Sequence, residues 1–359
     1  MCGNQVPAHA PTLRRGMRGN QVPAHPSPES GVKGMAMRVL ITGGTGFIGR
    51  HLAASLLRQE VVVRLMGRSF APVADLLAAG ALPVPGDLRD AAAVDRACAG
   101  VDLVCHVGAF SAPWGRRADF LAINLAGTAH VVAACRRHAV QRLVMISSPV
   151  VIFANEDMHE ADESWPYPQR FCSPYALSKK LAEDLVRNAT DLPSVILRPK
   201  AVFGPGDQAM LPRLIAAARS GRLPCIGDGM NRVDLTYITN VVQAIELAMV
   251  ATPAVGRTYT ITNGEHVLLW EVLRDVFRRV GIRKPLRRRP LKMMLALAGL
   301  LELHASLSGR EPVLTRYSVN ILARTQTYTI AAAQRDLGYR PCVDVAAGIE
   351  ATLAAMGAG

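Results

Sequence analysis

From Met37 onward, short apolar runs rich in β-branched residues alternate with segments whose apolar positions recur every three or four residues. Arg38–Thr42 (RVLIT) is the first run and ends in glycines; Phe47, Ile48, Leu52, Ala53, Leu56 and Leu57 follow at helical spacing. Val61–Met66, Val101–Val107, Arg142–Ser147, Ser194–Leu197 and Thr258–Thr262 read as further strands, and Ala91–Ala99, Ala118–His138 and Tyr175–Asn188 as helices. Strand and helix alternating through short loops predict right-handed βαβ crossovers. The expected fold class is α/β, a Rossmann-like doubly wound parallel sheet. After about residue 264 the pattern turns mostly helical with basic and Pro-rich interruptions, which predicts a smaller, mostly helical C-terminal region laid over the end of the sheet.

The first 36 residues have a different texture. The heptapeptide GNQVPAH occurs at Gly3–His9 and again at Gly19–His25, among Pro, Gly, Ser and Arg and almost no large apolar residue. Burial cannot offset the ordering entropy of such a segment. Residues 1–36 are therefore expected to be a disordered or wrongly assigned N-terminal extension, with Met35 or Met37 as plausible starts.

Composition narrows the class. Half of the 359 residues are hydrophobic, too many for a disordered chain. The seven cysteines (Cys2, Cys98, Cys105, Cys135, Cys172, Cys225 and Cys342) contain no C-x-x-C pair, so neither a disulfide framework nor a zinc ribbon is expected and a reducing cytoplasm is the natural compartment. No Cys/His cluster calls for a metal. No apolar stretch reaches the roughly 18 residues needed to span a bilayer, the longest, Met293 to Leu301, stopping at Glu302. A signal-peptide profile is absent from the N-terminus. The net charge of +13 leaves nucleic acid, an anionic surface or an anionic ligand open.

The first strand–helix junction reads Thr42-Gly43-Gly44-Thr45-Gly46-Phe47-Ile48-Gly49. After a strand and opening an amphipathic helix, G-x-x-G-x-x-G has the context of a dinucleotide fingerprint. Gly43 permits the tight turn, Gly46 lets the backbone approach a pyrophosphate, and Gly49 lets the helix pack close on the strand. N–H groups at the helix start, around Phe47 and Ile48, would hold the phosphates. The dinucleotide-binding core is then expected over 37–200, rejoined by 234–263, with 201–233 and 264–359 binding substrate.

These residues resemble the extended short-chain dehydrogenase/reductase family from about Met37 to the C-terminus. Gly86-Asp87-Leu88 resembles the element after the third strand, whose Asp, by the resemblance, bonds the adenine amino group; on its own Asp87 would equally serve as a helix N-cap. His106-Val107-Gly108-Ala109 resembles the loop that passes under the cofactor, and Asn124 with Gly127-Thr128 the N-x-x-G-T stretch of the next helix. An acid at the end of the second strand would select NAD(H). Here that strand ends Leu65-Met66-Gly67-Arg68-Ser69, so Arg68, and with less reason Arg64, could meet a 2′-phosphate, and NADP(H) is the preferred cofactor with NAD(H) as the alternative.

Tyr175 and Lys179 form Y-x-x-x-K, whose i, i+4 spacing places both on one helical face. Hydride transfer at a carbonyl carbon needs an acid/base at the oxygen, and a phenol suits that role when a neighbouring ammonium stabilises its phenolate. Lys179 would supply that charge and hold the nicotinamide ribose. Ser148, 27 residues before Tyr175, would hydrogen-bond the substrate oxygen; Ser147 is the fallback, pointing to the other face of its strand.

Leu197-Arg198-Pro199-Lys200-Ala201-Val202-Phe203-Gly204-Pro205-Gly206-Asp207 resembles the segment after the sixth strand, with Pro199 lining the nicotinamide side. Nucleotide-sugar epimerases and dehydratases carry a diphosphate-binding Asn there, where this chain has Ala201. Together with Leu211–Val242 and the late Glu311–Arg316 and Leu337-Gly338-Tyr339, the segment is most similar to the 3β-hydroxysteroid dehydrogenase branch, which includes sterol-4-carboxylate decarboxylating dehydrogenases and bacterial 2-alkyl-3-oxoalkanoate reductases. The resemblance implies an NAD(P)-dependent oxidoreductase interconverting a 3-hydroxy and a 3-oxo group on a small but bulky hydrophobic substrate. A nucleotide-sugar epimerase or dehydratase is the alternative, and a non-catalytic NADP-sensing regulator a weaker one. A homodimer is left open.

The charge then divides. Residues 1–34 carry +3, and Arg283, Lys284, Arg287, Arg288, Arg289 and Lys292 carry +6 without an acid among them, leaving +4 for the rest. That distribution does not point to nucleic acid. Basic residues leading into Met293–Leu301 suggest that 283–303 covers an acidic or lipid-like substrate or touches a membrane surface.

Overall fold

A computed structural model describes residues 36–357. Its centre is a sheet of seven parallel strands: β1 (Arg38–Thr42), β2 (Val62–Gly67), β3 (Leu82–Pro85), β4 (Leu103–His106), β5 (Arg142–Ile146), β6 (Ser194–Pro199) and β7 (Thr258–Ile261). Their order is β7-β6-β5-β4-β1-β2-β3. The order reverses beside β1, which pairs with β4 on one side and β2 on the other. In such sheets ligands bind beyond the carboxyl ends of the strands at that reversal.

The interior strands are apolar on both faces because both are covered. Val39 and Ile41 of β1, Val144 and Ile146 of β5, and Val195 and Leu197 of β6 pack into one core with Leu52 and Leu56 of helix Phe47–Leu57 and Ile245 of helix Ile238–Val250. The alternate residues Leu40, Leu143, Met145 and Ile196 join Val94, Val131, Ala182 and Val186 from helices Ala91–Cys98, Gly127–Arg137 and Pro174–Arg187 on the opposite face. This period-2 alternation fixes the face of every polar residue at the strand ends.

Helix Ala118–His138 of the sequence reading is three segments. Arg117–Phe120 is α-helical, Leu121–Ala126 is a π-helical stretch and Gly127–Arg137 is α-helical again. The wider turns rotate Asn124 inward, where it is buried.

Beyond the sheet, the C-terminal region is mostly helical as expected, with one addition. A four-stranded sheet runs through it in the order His266–Leu268, Arg232–Asp234, Gln326–Tyr328, Met158–Ala161. These strands have three or four residues, too few to establish an alternating pattern. Met158–Ala161 comes from the segment assigned to the dinucleotide-binding core, while Ile330, Ala333, Leu337 and Tyr339, from the segment assigned to substrate, pack into the core around β1 and β7. The two regions therefore exchange elements rather than meeting at a sequence boundary. A further core, with Phe203, Ile215, Trp270, Phe277, Met294, Val319 and Ile349, supports the substrate side.

Helix Leu291–Ser308 is 18 residues long and runs through Glu302. It and Arg117–Arg137 are each long and apolar enough to cross a membrane, which corrects the expectation that Glu302 ends the apolar run; 44% of the Arg117–Arg137 stretch is buried in the fold against 17% of Leu291–Ser308. Glu302 is no breaker because Arg316 neutralises it, donating from its backbone N–H and its Nε at 2.7 Å each.

Candidate active site

The glycine turn lies at the end of β1. Gly43 has φ +66°, and a Cβ there would come within 2.6 Å of Gly108 Cα, so the turn and the loop after β4 touch backbone to backbone. A Cβ on Gly49 would meet the Gly43 carbonyl oxygen at 2.3 Å. A Cβ on Gly46 would stand over the mouth of the turn, meeting only the Gly43 oxygen. Helix Phe47–Leu57 begins at Gly46 with no side-chain cap and no acid in its first turn. Its first N–H groups, at Phe47 and Ile48 among them, are thus free of a competing side-chain acceptor, and the cradle suits a pyrophosphate.

Around the turn, several sequence candidates have partners within the chain. Asp87 Oδ1 accepts from the backbone N–H and Nε of Arg89, and Oδ2 accepts from Arg89 Nη2 at 2.7 Å. That arginine holds the carboxyl well below its ordinary range, at about 2, with Arg68 adding a smaller pull in the same direction. Asp87 does not cap the following helix; Asp90 does, accepting from Ala92 and Ala93. Arg68 is exposed at the end of β2. Arg64, the other cation considered for a 2′-phosphate, turns away and donates to the Ala99 carbonyl at 2.6 Å. Leu88 packs over Gly108 and Gly127, and its carbonyl is bonded by His130.

Asn124 has its partners within the chain as well. Its Oδ1 accepts from the Phe110 N–H at 2.7 Å, and its Nδ2 donates to the Phe110 carbonyl and to Ser178 Oγ. Both amide hydrogens are spent on the protein. Asn124 positions the loop after β4 against the helix that carries Tyr175. Beneath it runs a buried chain: Thr128 donates to the Asn124 carbonyl, His106 lies between Thr128 and Thr42, and Thr42 accepts from Gly108 N–H. Because the Thr128 hydroxyl proton is already used, His106 donates from Nε2 and accepts at Nδ1. Burial, helped by the nearby Lys179 charge, lowers its pKa to about 3.

Tyr175 and Lys179 lie on helix Pro174–Arg187, which Ser173 caps by accepting from Ala176 N–H. Lys179 is buried and donates from Nζ to the Ile146 carbonyl at 2.6 Å, at the end of β5. Burial lowers its pKa to about 8, while the Glu183 carboxylate one turn on pulls the other way. The Tyr175 phenol is raised to about 12 by burial, with a hydrogen bond to Ser148 pulling it down and Glu183 pushing it up. Ser148 lies beside Tyr175, and Ser147 lies beside Glu183, two turns further along the same helix. Pro199 closes β6 opposite Ile261 and is buried.

Sequence reasoning overlooked the support beneath this group. Glu183 and Arg198, both fully buried, pair through Nε at 2.9 Å and Nη2 at 2.6 Å, and the Tyr167 hydroxyl accepts from Arg198 and Arg187. The available signal was Glu183 at i+4 from Lys179, together with an arginine inside an otherwise apolar strand.

A cavity of about 1390 Å³ reaches Ser148. Ala109, Phe110, Ser148, Lys200, Tyr317 and Leu297 are among its walls. The cavity is mostly apolar and large enough for a bulky substrate, and Ser148 is part of its wall.

Residues 40–292 match the 3-beta hydroxysteroid dehydrogenase/isomerase family. The chain belongs to that family. It is 38% identical over 324 residues to a 2-alkyl-3-oxoalkanoate reductase of Stenotrophomonas maltophilia, covering 87% of this chain and 97% of the relative. A decarboxylating sterol-4-alpha-carboxylate 3-dehydrogenase of Saccharomyces cerevisiae is 33% identical over 348 residues, covering 89% and 98%. Among solved structures, a dTDP-glucose 4,6-dehydratase of Streptomyces venezuelae, crystallised with NAD, superposes with TM-score 0.72 at 24% identity over 89% of this chain and 97% of that one. At that identity the likeness concerns the fold. Family membership places the chain among dehydrogenases and reductases acting on CH–OH groups, and the epimerase-type neighbours share its architecture only.

Proposed function

We propose that the protein is an NADP(H)-dependent oxidoreductase that interconverts a 3-hydroxy and a 3-oxo group on a bulky hydrophobic substrate carrying a carboxylate next to the reacting carbon. The observation that carries this reading is the Ser148–Tyr175–Lys179 group, whose serine lines a large apolar cavity, together with an uncapped glycine turn. Two relatives act on such acids by their names, a 2-alkyl-3-oxoalkanoate and a sterol-4-alpha-carboxylate.

The glycine turn and first helix would hold the pyrophosphate, with Gly108, Ala109 and Pro199 beside the nicotinamide half and Arg68 toward the 2′-phosphate. When bound, the nicotinamide supplies or accepts the hydride. Ser148 donates a hydrogen bond to the substrate oxygen, and Tyr175 gives that oxygen a proton in reduction or removes it in oxidation. The Lys179 ammonium, fixed by the Ile146 carbonyl, stabilises the phenolate and can bond the ribose. Exposed Arg68, with no acid at the end of β2, favours NADP(H) over NAD(H). The deciding experiment is cofactor oxidation and reduction with a panel of 2-alkyl-3-oxo acids, 3-hydroxysteroids and nucleotide sugars. Turnover of the first two classes is expected; net turnover of none, with isomerisation of a nucleotide sugar, would overturn the reading.

A membrane contact belongs to the same reading. Met293, Leu297, Leu300, Leu303 and Leu307 are exposed along helix Leu291–Ser308, at 44 to 82%. Arg287, Arg289, Met293 and Leu297 also line the cavity, so its basic and apolar rim and the exposed helix are continuous. Such a rim suits an anionic lipid surface from which a lipid-like substrate enters.

A further inference from the structure

Lys200 is a buried cation in the wall of the substrate cavity, and none of the steps above uses it. It follows β6, whose alternation puts Ile196 and Arg198 on the face covered by the Tyr175-bearing helix. The Lys200 N–H still bonds the Ile261 carbonyl, so the ladder and its alternation extend to this residue and turn it to that same face. The backbone is held from behind as well: Thr236 donates to the Lys200 carbonyl at 2.5 Å, and Ala201 sits in the left-handed region at φ +44°. A non-glycine residue in that region is held there by its surroundings.

The ammonium is only partly satisfied. Of its three donors, one reaches Gln326 Oε1 at 2.6 Å, and the Tyr328 ring lies 5.7 Å from Nζ. Among the described residues no carboxylate pairs with it directly. The nearby Asp234 attracts it, but that carboxylate has its own partners, His266 Nδ1 at 2.6 Å and the Tyr328 N–H at 2.8 Å. An ammonium buried with one neutral acceptor is costly unless something in the cavity completes it. Burial accordingly brings its pKa down to about 8, which leaves it largely protonated at neutral pH. Ser148 lines the same cavity, and β5 and β6 are adjacent strands in register from Leu143–Ser194 to Ile146–Leu197. The ladder runs on to the Ser147 N–H, which bonds the Leu197 carbonyl, before the chain turns into the short helix Pro149–Ile152, so Ser148 and Lys200 follow the ends of neighbouring strands and line one cavity.

We infer that Lys200 is the carboxylate-binding residue of the substrate cavity and selects 3-oxo and 3-hydroxy acids over their uncharged analogues. The inference rests on the proposed function and adds to it the group that recognises the acid. Carboxylate and ammonium would meet in an apolar cavity with little water, where a charge-assisted hydrogen bond is strong.

The test compares oxidation of a 2-alkyl-3-hydroxy fatty acid with that of its methyl ester, following reduction of NADP+. The wild type is expected to favour the acid over the ester by roughly 10- to 100-fold in kcat/KM, mainly through KM, as the loss of a charge-assisted hydrogen bond predicts. Lys200→Gln, which can still bond Gln326, should bring that ratio close to one, and Lys200→Arg should keep most of it. Equal wild-type use of acid and ester, or an unchanged ratio in Lys200→Gln, would overturn the inference while leaving the oxidoreductase reading in place. Turnover of neither compound by the wild type would overturn both. The wild-type ratio needs no variant, so a folding defect in Lys200→Gln cannot mask the answer.

Discussion

Glu183 and Arg198 are both fully buried and face each other through two hydrogen bonds, with Tyr167 and Arg187 closing the group from outside. Glu183 is also one helical turn beyond Lys179, so the pair anchors the face that carries the catalytic ammonium. Removing one member strands the other charge in the core. Glu183→Gln is expected to destabilise the protein by about 3 to 5 kcal/mol and to lower the thermal midpoint by several degrees in a scanning calorimeter. A midpoint unchanged from wild type would mean that Arg198 finds another partner.

Tyr175→Phe keeps the ring that packs against Phe120, at 6.4 Å between centroids, and deletes only the acid/base. Turnover should fall by at least about 10²- to 10⁴-fold, while NADPH binding, read from nucleotide fluorescence, stays within a factor of a few. Ser148→Ala, which removes both the oxygen's donor and the bond that lowers the Tyr175 pKa, should shift the alkaline limb of the pH–rate profile upward as well as reduce kcat. A profile unmoved by Ser148→Ala would place the serine outside the proton path.

Cofactor choice is expected to sit on Arg68. Arg68→Ala should raise the KM for NADPH roughly tenfold and leave that for NADH nearly unchanged, because a guanidinium–phosphate pair contributes on the order of 1–3 kcal/mol. Equal effects on the two cofactors would assign the 2′-phosphate contact to another residue.

The buried His106 has a pH consequence whose sign is fixed. Its folded pKa, about 3, is below its ordinary value near 6.5, so the unfolded chain binds the extra proton first as pH falls. Its stabilising contribution is complete above about pH 6.5 and is lost progressively toward pH 3. In urea titrations, His106→Asn should be less stable than wild type at pH 7, and the gap should narrow as pH falls from 6.5 to 4. A constant gap would show that the imidazole is already protonated in the fold.

Leu300→Glu together with Leu303→Glu places charge on the exposed face of helix Leu291–Ser308. The wild type is expected to co-float with vesicles containing phosphatidylserine and to be released by salt, whereas the double variant stays in the soluble fraction. Wild-type protein that fails to float with any vesicle composition would remove the membrane contact.

Much of this fold could be read from the chain because its parallel strands are buried on both faces and its glycines are confined by backbone contact. The runs at Val39–Ile41 and Leu143–Ile146 could hardly be anything else, and Gly43 and Gly49 leave no room for a Cβ. The short strands Arg232–Asp234 and Gln326–Tyr328 were not legible, since three residues establish no period and what pairs them is tertiary. Asp87 and Asn124 were located by motif, but a motif states position rather than partner: only the coordinates reveal Arg89 across one and Phe110 across the other. Lys200 stood in plain view within LRPKAVFGPGD and carried no signal of burial, because a lone lysine after a strand is ordinarily solvated. Residues 1–35 lie outside the described residues, and the expectation for them stands as a sequence reading.

The π-helical turn at Leu121–Ala126 lets one helix grip the end of β4 twice, Asn124 holding the loop after it and Thr128 holding His106 within β4 itself. An insertion or deletion of a single residue there would rotate one of these contacts out of reach while leaving the other in place. Most helices of this size tolerate changes in length at their ends. This one is indexed in mid-course, so a change in its length there would register directly at the loop beneath the cofactor turn.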